Sequence, residues 1–199
     1  NFFIQKLLAI ADDYAQIFAL PEIQTVPLGT APVLAALVSE LSLPFGIANA
    51  DIQLVQDGMF VFSNTQDARG RLVLNSTALM NASKPERRFH LAAALLHLKL
   101  GTLPLVMQPP ENIATLISGL LGLYDAKLTP PDVLSRVKSF VPRAVRRNIT
   151  DFIAQAGIAA FQFDPAALQY AASNLDIFIG HCFCLDLKAS VAGILRRRK

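Results

Sequence analysis

The chain has 199 residues, of which 53% are hydrophobic and 17% are charged, and its formal net charge is +3. Such an apolar composition excludes an intrinsically disordered chain, and the length is sufficient for one domain with a sizeable buried core. The two cysteines, Cys182 and Cys184, lie too close together to staple a fold, which excludes a disulfide-rich scaffold and gives no sign of an oxidising compartment.

The mean hydropathy of +0.41 raises the question of a membrane span. Charged residues and prolines interrupt every candidate, so no window reaches the roughly 18 consecutive apolar residues that a spanning helix needs. No signal peptide is recognised either. We therefore expect a cytoplasmic protein without a transmembrane segment.

Helical periodicity dominates the first part of the chain. Apolar residues recur at helical spacing over residues 2–18, and Pro21 ends that pattern. A second helix is predicted from about Thr30 to Pro44, with Pro32 in its first turn.

Three short runs rich in β-forming residues follow, at residues 52–55, 59–62 and 72–74. The first two are separated by Gln56, Asp57 and Gly58, and the last two by a polar segment. This pattern predicts three strands of a small sheet.

The strongest local signal is the start of the next helix. Ser83 is a good N-cap, Pro85 fits the first turn, and Glu86 stands where a capping box has its acidic residue. The helix continues to about Leu100 and is expected to end at Gly101. Because it is apolar on most of its circumference, it should be central and buried.

Helical patterns fill the remainder of the chain, over residues 111–124, from residue 131 with a break at Pro142, over 149–161, and from 165 to the end. The predicted fold class is α+β, mostly α-helical with one small β-sheet packed on a buried central helix. We expect a single domain over residues 1–199, made of N-terminal helices (1–48), the sheet with the central helix (49–101) and a helical part (102–199).

The central helix reads HLAAALLHLKLG over residues 90–101, and it follows a strand and a short helix. This order resembles the HtpX-like zinc metallopeptidases of the gluzincin class, whose active helix has the form ELAAVLAHEIGHV. In this alignment His97 stands at the first zinc-binding histidine. Leu98 replaces the catalytic glutamate, and Gly101 replaces the second histidine.

The family's third zinc ligand is a glutamate four residues before an aspartate on a later helix. Asp176 matches that aspartate, and Ala172 stands at the ligand position. A zinc peptidase needs three protein ligands and a carboxylate that activates water. Over residues 52–101 and 170–187 the chain is therefore similar to a degenerate member of the family that lacks the HExxH site, like inactive domains in bacterial, including myxobacterial, multidomain proteins.

The resemblance implies a pseudopeptidase without a cofactor whose cleft still holds an extended peptide along the edge of the sheet, by β-strand addition. The receiving edge would be residues 59–63 or 71–75, and Asn75 would meet the peptide backbone. The residues expected to bind the peptide are Met59, Phe60, Val61, Phe62, Ser63, Leu72, Val73, Leu74, Asn75 and His97.

Histidines and cysteines offer weaker metal hypotheses. His90 and His97 share one helix face, but on so apolar a helix they are better explained as hydrogen-bonded core residues. His181, Cys182 and Cys184 lack a second ligand pair, which favours packed cysteines on a buried helix.

The basic residues at 136–147 and 196–199 are not interleaved with aromatic residues, so a solvated helix face and a solubilising tail are favoured over nucleic-acid binding. Contact of the C-terminal tail with an anionic membrane surface is a weaker alternative. No nucleophile elbow, phosphate-binding loop or paired-carboxylate motif is recognised.

We therefore predict a non-catalytic domain that binds an extended peptide or a protein and can present it to a separate modifying enzyme. The alternative is a structural or dimerisation module, favoured by the excess of apolar residues. A third hypothesis is an active metalloenzyme that uses His97 with atypical ligands such as Asp176 or His181.

Overall fold

A computed structural model of the chain describes residues 3–4, 6–7, 24–48, 51–56, 62–64, 71–103 and 108–197. These residues form an α+β fold that is mostly helical and has one small sheet, which confirms the predicted class. Of the first predicted helix only four residues are described, and these are helical. Met59, Phe60 and Val61 lie outside the described residues.

The described residues divide into two compact units that interleave along the chain. One, here called the sheet unit, comprises residues 22–65, 70–107 and 171–199. The other, here called the helical unit, comprises residues 1–21, 66–69 and 108–170. None of the three segments distinguished in the sequence corresponds to one unit, and the single domain stays a prediction.

The sheet has four strands: β1 (Val26–Pro27), β2 (Asp51–Val55), β3 (Phe62–Asn64) and β4 (Arg71–Asn75). Their order across the sheet is β1-β2-β4-β3. β2 and β4 run parallel, with Ile52 opposite Leu72, whereas β1 and β3 are antiparallel to their neighbours. β2 and β4 match the predicted runs 52–55 and 72–74, whereas β3 shares only Phe62 with the predicted run 59–62, whose other residues lie outside the described ones. β1 was missed because a two-residue strand that ends in proline has no periodic signal.

The position of β4 corrects one prediction. β4 is hydrogen-bonded to β2 on one side and to β3 on the other, so it is an internal strand. Its residues Leu72, Val73 and Leu74 are at most 1% exposed. The expectation that residues 71–75 form a receiving edge is therefore wrong, because both backbone edges of β4 are already paired.

The described helices of the sheet unit are α1 (Pro32–Phe45), α2 (Ser76–Met80), α3 (Lys84–Leu100), residues 171–184 of α7 (Pro165–Cys184) and α8 (Leu187–Arg197). α3 is the predicted central helix. It packs against α1, α8 and β4, and Phe89 and Leu91 on it are fully buried. Leucines of α1, β2, β4 and α3 form the core between the sheet and this helix.

Both ends of α3 are as predicted. The Ser83 side chain accepts a hydrogen bond from the Glu86 amide, and the cap at Gly101 adopts the left-handed conformation with φ 64°. These contacts satisfy backbone groups that the end of a helix leaves without an intrahelical partner.

The helical unit contains α4 (Pro110–Gly122), α5 (Pro131–Phe140) and α6 (Arg143–Ala156). The predicted break at Pro142 separates α5 from α6. Gly119 of α4 faces Val137 of α5, where an added Cβ would lie 2.7 Å from the valine Cγ2. Arg136 and Arg147 are exposed, as expected for a solvated basic face.

Within the described part of the chain, no helix combines the length and the apolar character that a membrane span requires.

Candidate functional site

A buried polar cluster joins the end of α3 to α7. The His97 ring lies between Thr102 and Asp176, and the side chains of His97 and Asp176 are 1% and 2% exposed. Its Nδ1 is 2.8 Å from the Thr102 hydroxyl, and its Nε2 is hydrogen-bonded to Oδ1 of Asp176. The two partners of the histidine thus come from sites 74 residues apart in the chain, at positions 102 and 176.

The local sequence explains the position of Thr102. Gly101 turns the chain back at the end of α3, with its amide bonded to the carbonyl of Leu98. The amide of Thr102 in turn donates to the carbonyl of His97 at 3.0 Å. This pair of bonds is a Schellman motif, which requires the positive φ that glycine adopts without strain. Gly101 therefore places the Thr102 hydroxyl against the ring of His97.

The hydrogen bonds determine what His97 can do chemically. In a neutral imidazole one nitrogen donates and the other accepts, which suits a carboxylate on one side and a hydroxyl on the other. With both ring nitrogens engaged, no lone pair of the ring is directed toward a metal ion. Among the described residues, no three His, Cys, Asp or Glu side chains lie close enough together to hold a metal.

The sequence analysis placed His97 and Asp176 together only in the hypothesis of an atypical metal site, and it did not predict a hydrogen bond between them. Ala172, which the sequence alignment predicted at a ligand position, lies one helical turn before Asp176 on α7. The structure therefore brings together the two polar positions of the alignment.

The predicted peptide-binding residues separate into two groups. Phe62 and Ser63 lie in β3, which has β4 as its one neighbour among the described strands. Asn75 is 3% exposed, and its Oδ1 accepts from the Ala78 amide at 2.9 Å, capping α2. His97 has no exposed surface. The expectation that Asn75 and His97 contact a peptide is wrong, because both side chains are buried and engaged in internal hydrogen bonds.

A second polar cluster connects α7 to α8. The Ser190 hydroxyl is 2.9 Å from His181 Nδ1 and 3.1 Å from Cys184 Sγ. Cys184 is buried as expected, whereas Cys182 is exposed, so the cysteines do not share one environment. Ser190 carries no motif and was not recognised from the sequence.

The fold and these clusters define an α+β protein with a buried histidine–aspartate pair between its central helix and a C-terminal helix. Comparison with models of protein families, with curated proteins and with solved structures finds no match to this chain.

Proposed function

We propose that this protein is a non-catalytic domain that binds an extended peptide, or an extended segment of a partner protein, by strand addition to β3. The observation that carries the proposal is the strand order β1-β2-β4-β3, which leaves β3 at one end of the described sheet. A peptide strand that pairs there gains main-chain hydrogen bonds without the need for a metal or a catalytic group.

The pairing of β3 supports this edge as the receiving one. Ser63 is opposite Val73 of β4, in antiparallel register. In such a pair the backbone N–H and C=O groups of successive residues point alternately toward the partner and away from it. Either Ser63 or its neighbours therefore direct backbone groups toward the outer side of β3.

The opposite edge of the sheet is less suitable. β1 has two residues, and Pro27 has no N–H to donate. Proline on an edge strand is one of the devices by which sheets avoid pairing with other chains. Between the two terminal strands described, β3 is the better template.

The surroundings of His97 support a non-catalytic role. The ring has no exposed surface and is hydrogen-bonded on both sides, and the next residue is Leu98 rather than an acid. Elemental mass spectrometry on protein purified without chelator tests this part of the proposal. We expect no stoichiometric zinc, and stoichiometric zinc would overturn the non-catalytic assignment.

Peptide binding is tested with the full chain on an array of short capped peptides with alternating apolar and polar residues. Binding should depend on the peptide backbone, so N-methylation of a bound peptide at alternate residues should weaken it at least tenfold, or about 1.4 kcal/mol.

Two proline variants, Ser63→Pro and Asn64→Pro, provide a matched pair within β3. Because adjacent amides point to opposite edges, one variant removes a bond to β4 and the other removes a donor on the outer edge. We expect one variant to unfold at lower temperature, and the other to keep its stability while losing peptide binding. Undiminished binding in the stable variant would contradict strand addition.

We also propose a cytoplasmic location, supported by the free thiols of Cys182 and Cys184. An exposed thiol such as that of Cys182 persists in a reducing compartment. Cell fractionation of the tagged full-length protein is the corresponding measurement, and recovery outside the cytoplasm would contradict this.

A further inference from the structure

The two C-terminal helices of the sheet unit expose several large apolar side chains. Phe178 is 64% exposed on α7, and Leu187 is 72% exposed at the start of α8. Six such residues, each between 38% and 84% exposed, are together called the C-terminal apolar face: Leu175, Phe178, Leu185, Leu187, Val191 and Leu195. A set of this size in one helix pair is more than the scattered single apolar residues of an ordinary surface.

On each of the two helices a glycine marks the side that packs against α3. An added Cβ at Gly180 of α7 would lie 2.5 Å from one edge of the Phe89 ring, and one at Gly193 of α8 would lie 2.7 Å from the other edge. At 100° per residue, Phe178 and Val191 are about half a turn away from these glycines. The close packing of both helices on Phe89 therefore directs the apolar face outward.

The spacing along α7 is that of a helix seam. Exposed residues with apolar or thiol side chains occur on α7 at 171, 175, 178 and 182, in steps of four, three and four. This 3.5-residue repeat is the pattern by which one helix packs its side chains into the holes of another. On α8 the exposed residues Leu187, Val191 and Leu195 follow at steps of four, which places them on one side of that helix.

The apolar face itself contains few charged residues, and a basic run follows its last residue. Between residues 171 and 195 the sequence has one lysine, Lys188, no arginine, and two aspartates, Asp176 and Asp186. Asp176 is buried against His97, and Asp186 bonds to the Ala189 amide. Arg196, Arg197, Arg198 and Lys199 follow Leu195 directly in the sequence, so the positive charge adjoins one end of the face and is absent from its six apolar side chains, which a second copy can cover.

The size of the face also fits a second copy. At about 200 Å² for one whole large side chain, the exposed fractions of its six residues amount to roughly 700 Å². A standard interface takes about 800 Å² from each partner.

We propose that the C-terminal apolar face is the contact surface of a homodimer. The two copies pair α7 and α8 with the same helices of the other copy about a two-fold axis, which makes the interface isologous. This inference uses residues that the strand-addition proposal does not, so either can fail without the other.

The test is the mass of the full chain in solution, measured by light scattering across a micromolar concentration range. We expect twice the chain mass of 21.6 kDa for the wild type. Phe178→Glu places a charge within the face and should weaken the dimer at least tenfold. Val33→Glu is the matched control, because Val33 is an apolar residue on α1 in the same unit and is 56% exposed. This variant should remain dimeric.

A second readout uses the exposed thiol of Cys182, which lies on the seam. Its reaction with a thiol reagent should slow as the wild-type concentration rises, and should not change with concentration in Phe178→Glu. A wild-type monomer over the whole range, or a dimer that persists in Phe178→Glu, would overturn the proposal. Binding of the monomeric protein to phosphatidylserine vesicles, lost in Phe178→Glu, would assign the face to lipid instead.

Discussion

Removal of the Asp176 carboxylate tests the buried cluster most directly. Asp176→Ala leaves Nε2 of His97 without its partner, in a place where both side chains are at most 2% exposed. Water does not reach the ring there, so the lost hydrogen bond is not replaced. We expect a clear loss of stability without a change of fold.

The magnitude follows from the burial. A buried polar group left without a hydrogen-bond partner costs about 1–3 kcal/mol, and the small cavity left by the carboxylate raises the expected loss to about 2–4 kcal/mol. For a chain of this length, each kcal/mol lowers the melting temperature by about 2–4 °C, so we expect a decrease of roughly 4–16 °C. Asp176→Asn keeps a hydrogen-bonding group of the same shape and should lose about 1 kcal/mol or less.

The assay is urea unfolding followed by circular dichroism, with Glu40→Ala as the control. Glu40 is a carboxylate in the same unit and pairs with Arg88 at 2.8 Å, but its side chain is 58% exposed. An exposed ion pair contributes about 0–1 kcal/mol, so this variant should stay close to the wild type. The reasoning is refuted if Asp176→Ala and Glu40→Ala lose the same stability.

A double variant separates two costs: that of leaving one buried polar group without a partner, and that of losing the hydrogen bond between His97 and Asp176. Replacing both groups, as in His97→Leu with Asp176→Leu, leaves neither a donor nor an acceptor of this pair without its partner. Such paired replacement is often nearly neutral. We expect the double variant to be more stable than Asp176→Ala, and a double-mutant cycle gives the coupling energy of the pair.

Three further substitutions test the packing and the caps by thermal unfolding. Gly180→Ala forces a methyl group against the Phe89 ring and should cost about 1–3 kcal/mol, whereas Gly29→Ala, with no atom within 4 Å of its added Cβ, should be nearly neutral; equal stability of the two variants would contradict the close approach. Ser83→Ala removes the hydroxyl that accepts from the Glu86 amide and should cost about 1 kcal/mol. In Gly101→Ala the added methyl group has no atom within 4 Å, so the expected loss of stability, about 1 kcal/mol, comes from the left-handed backbone alone. An unchanged melting temperature would contradict that origin.

Local rules predicted the elements whose signals lie within a few residues. The cap at Ser83, the end at Gly101 and the break at Pro142 all appear in the structure, because capping and proline geometry depend on the nearest backbone groups. The edge of the sheet was not predictable in the same way. Whether residues 71–75 lie inside or at an edge depends on which strands pair with them, and the β-forming runs do not encode that order.

The candidate site shows the same division. Burial of His97 followed from the apolar helix around it, but its partner Asp176 is 79 residues away, and only packing brings the two together. The exposure of Phe178 was equally unpredictable from the sequence. It follows from the contact of Gly180 with Phe89, which turns the opposite side of α7 away from the core.

The sequence by itself determined the α+β class, both ends of the central helix α3 and its apolar character, since these follow from periodicity and from capping chemistry. Tertiary structure alone decided that β4 is internal, that Thr102 and Asp176 engage both nitrogens of His97, and which apolar residues of the C-terminal helices remain exposed. The physical reason is that these properties depend on contacts between segments distant in the chain, which are selected by the packing of the whole unit rather than by neighbouring residues.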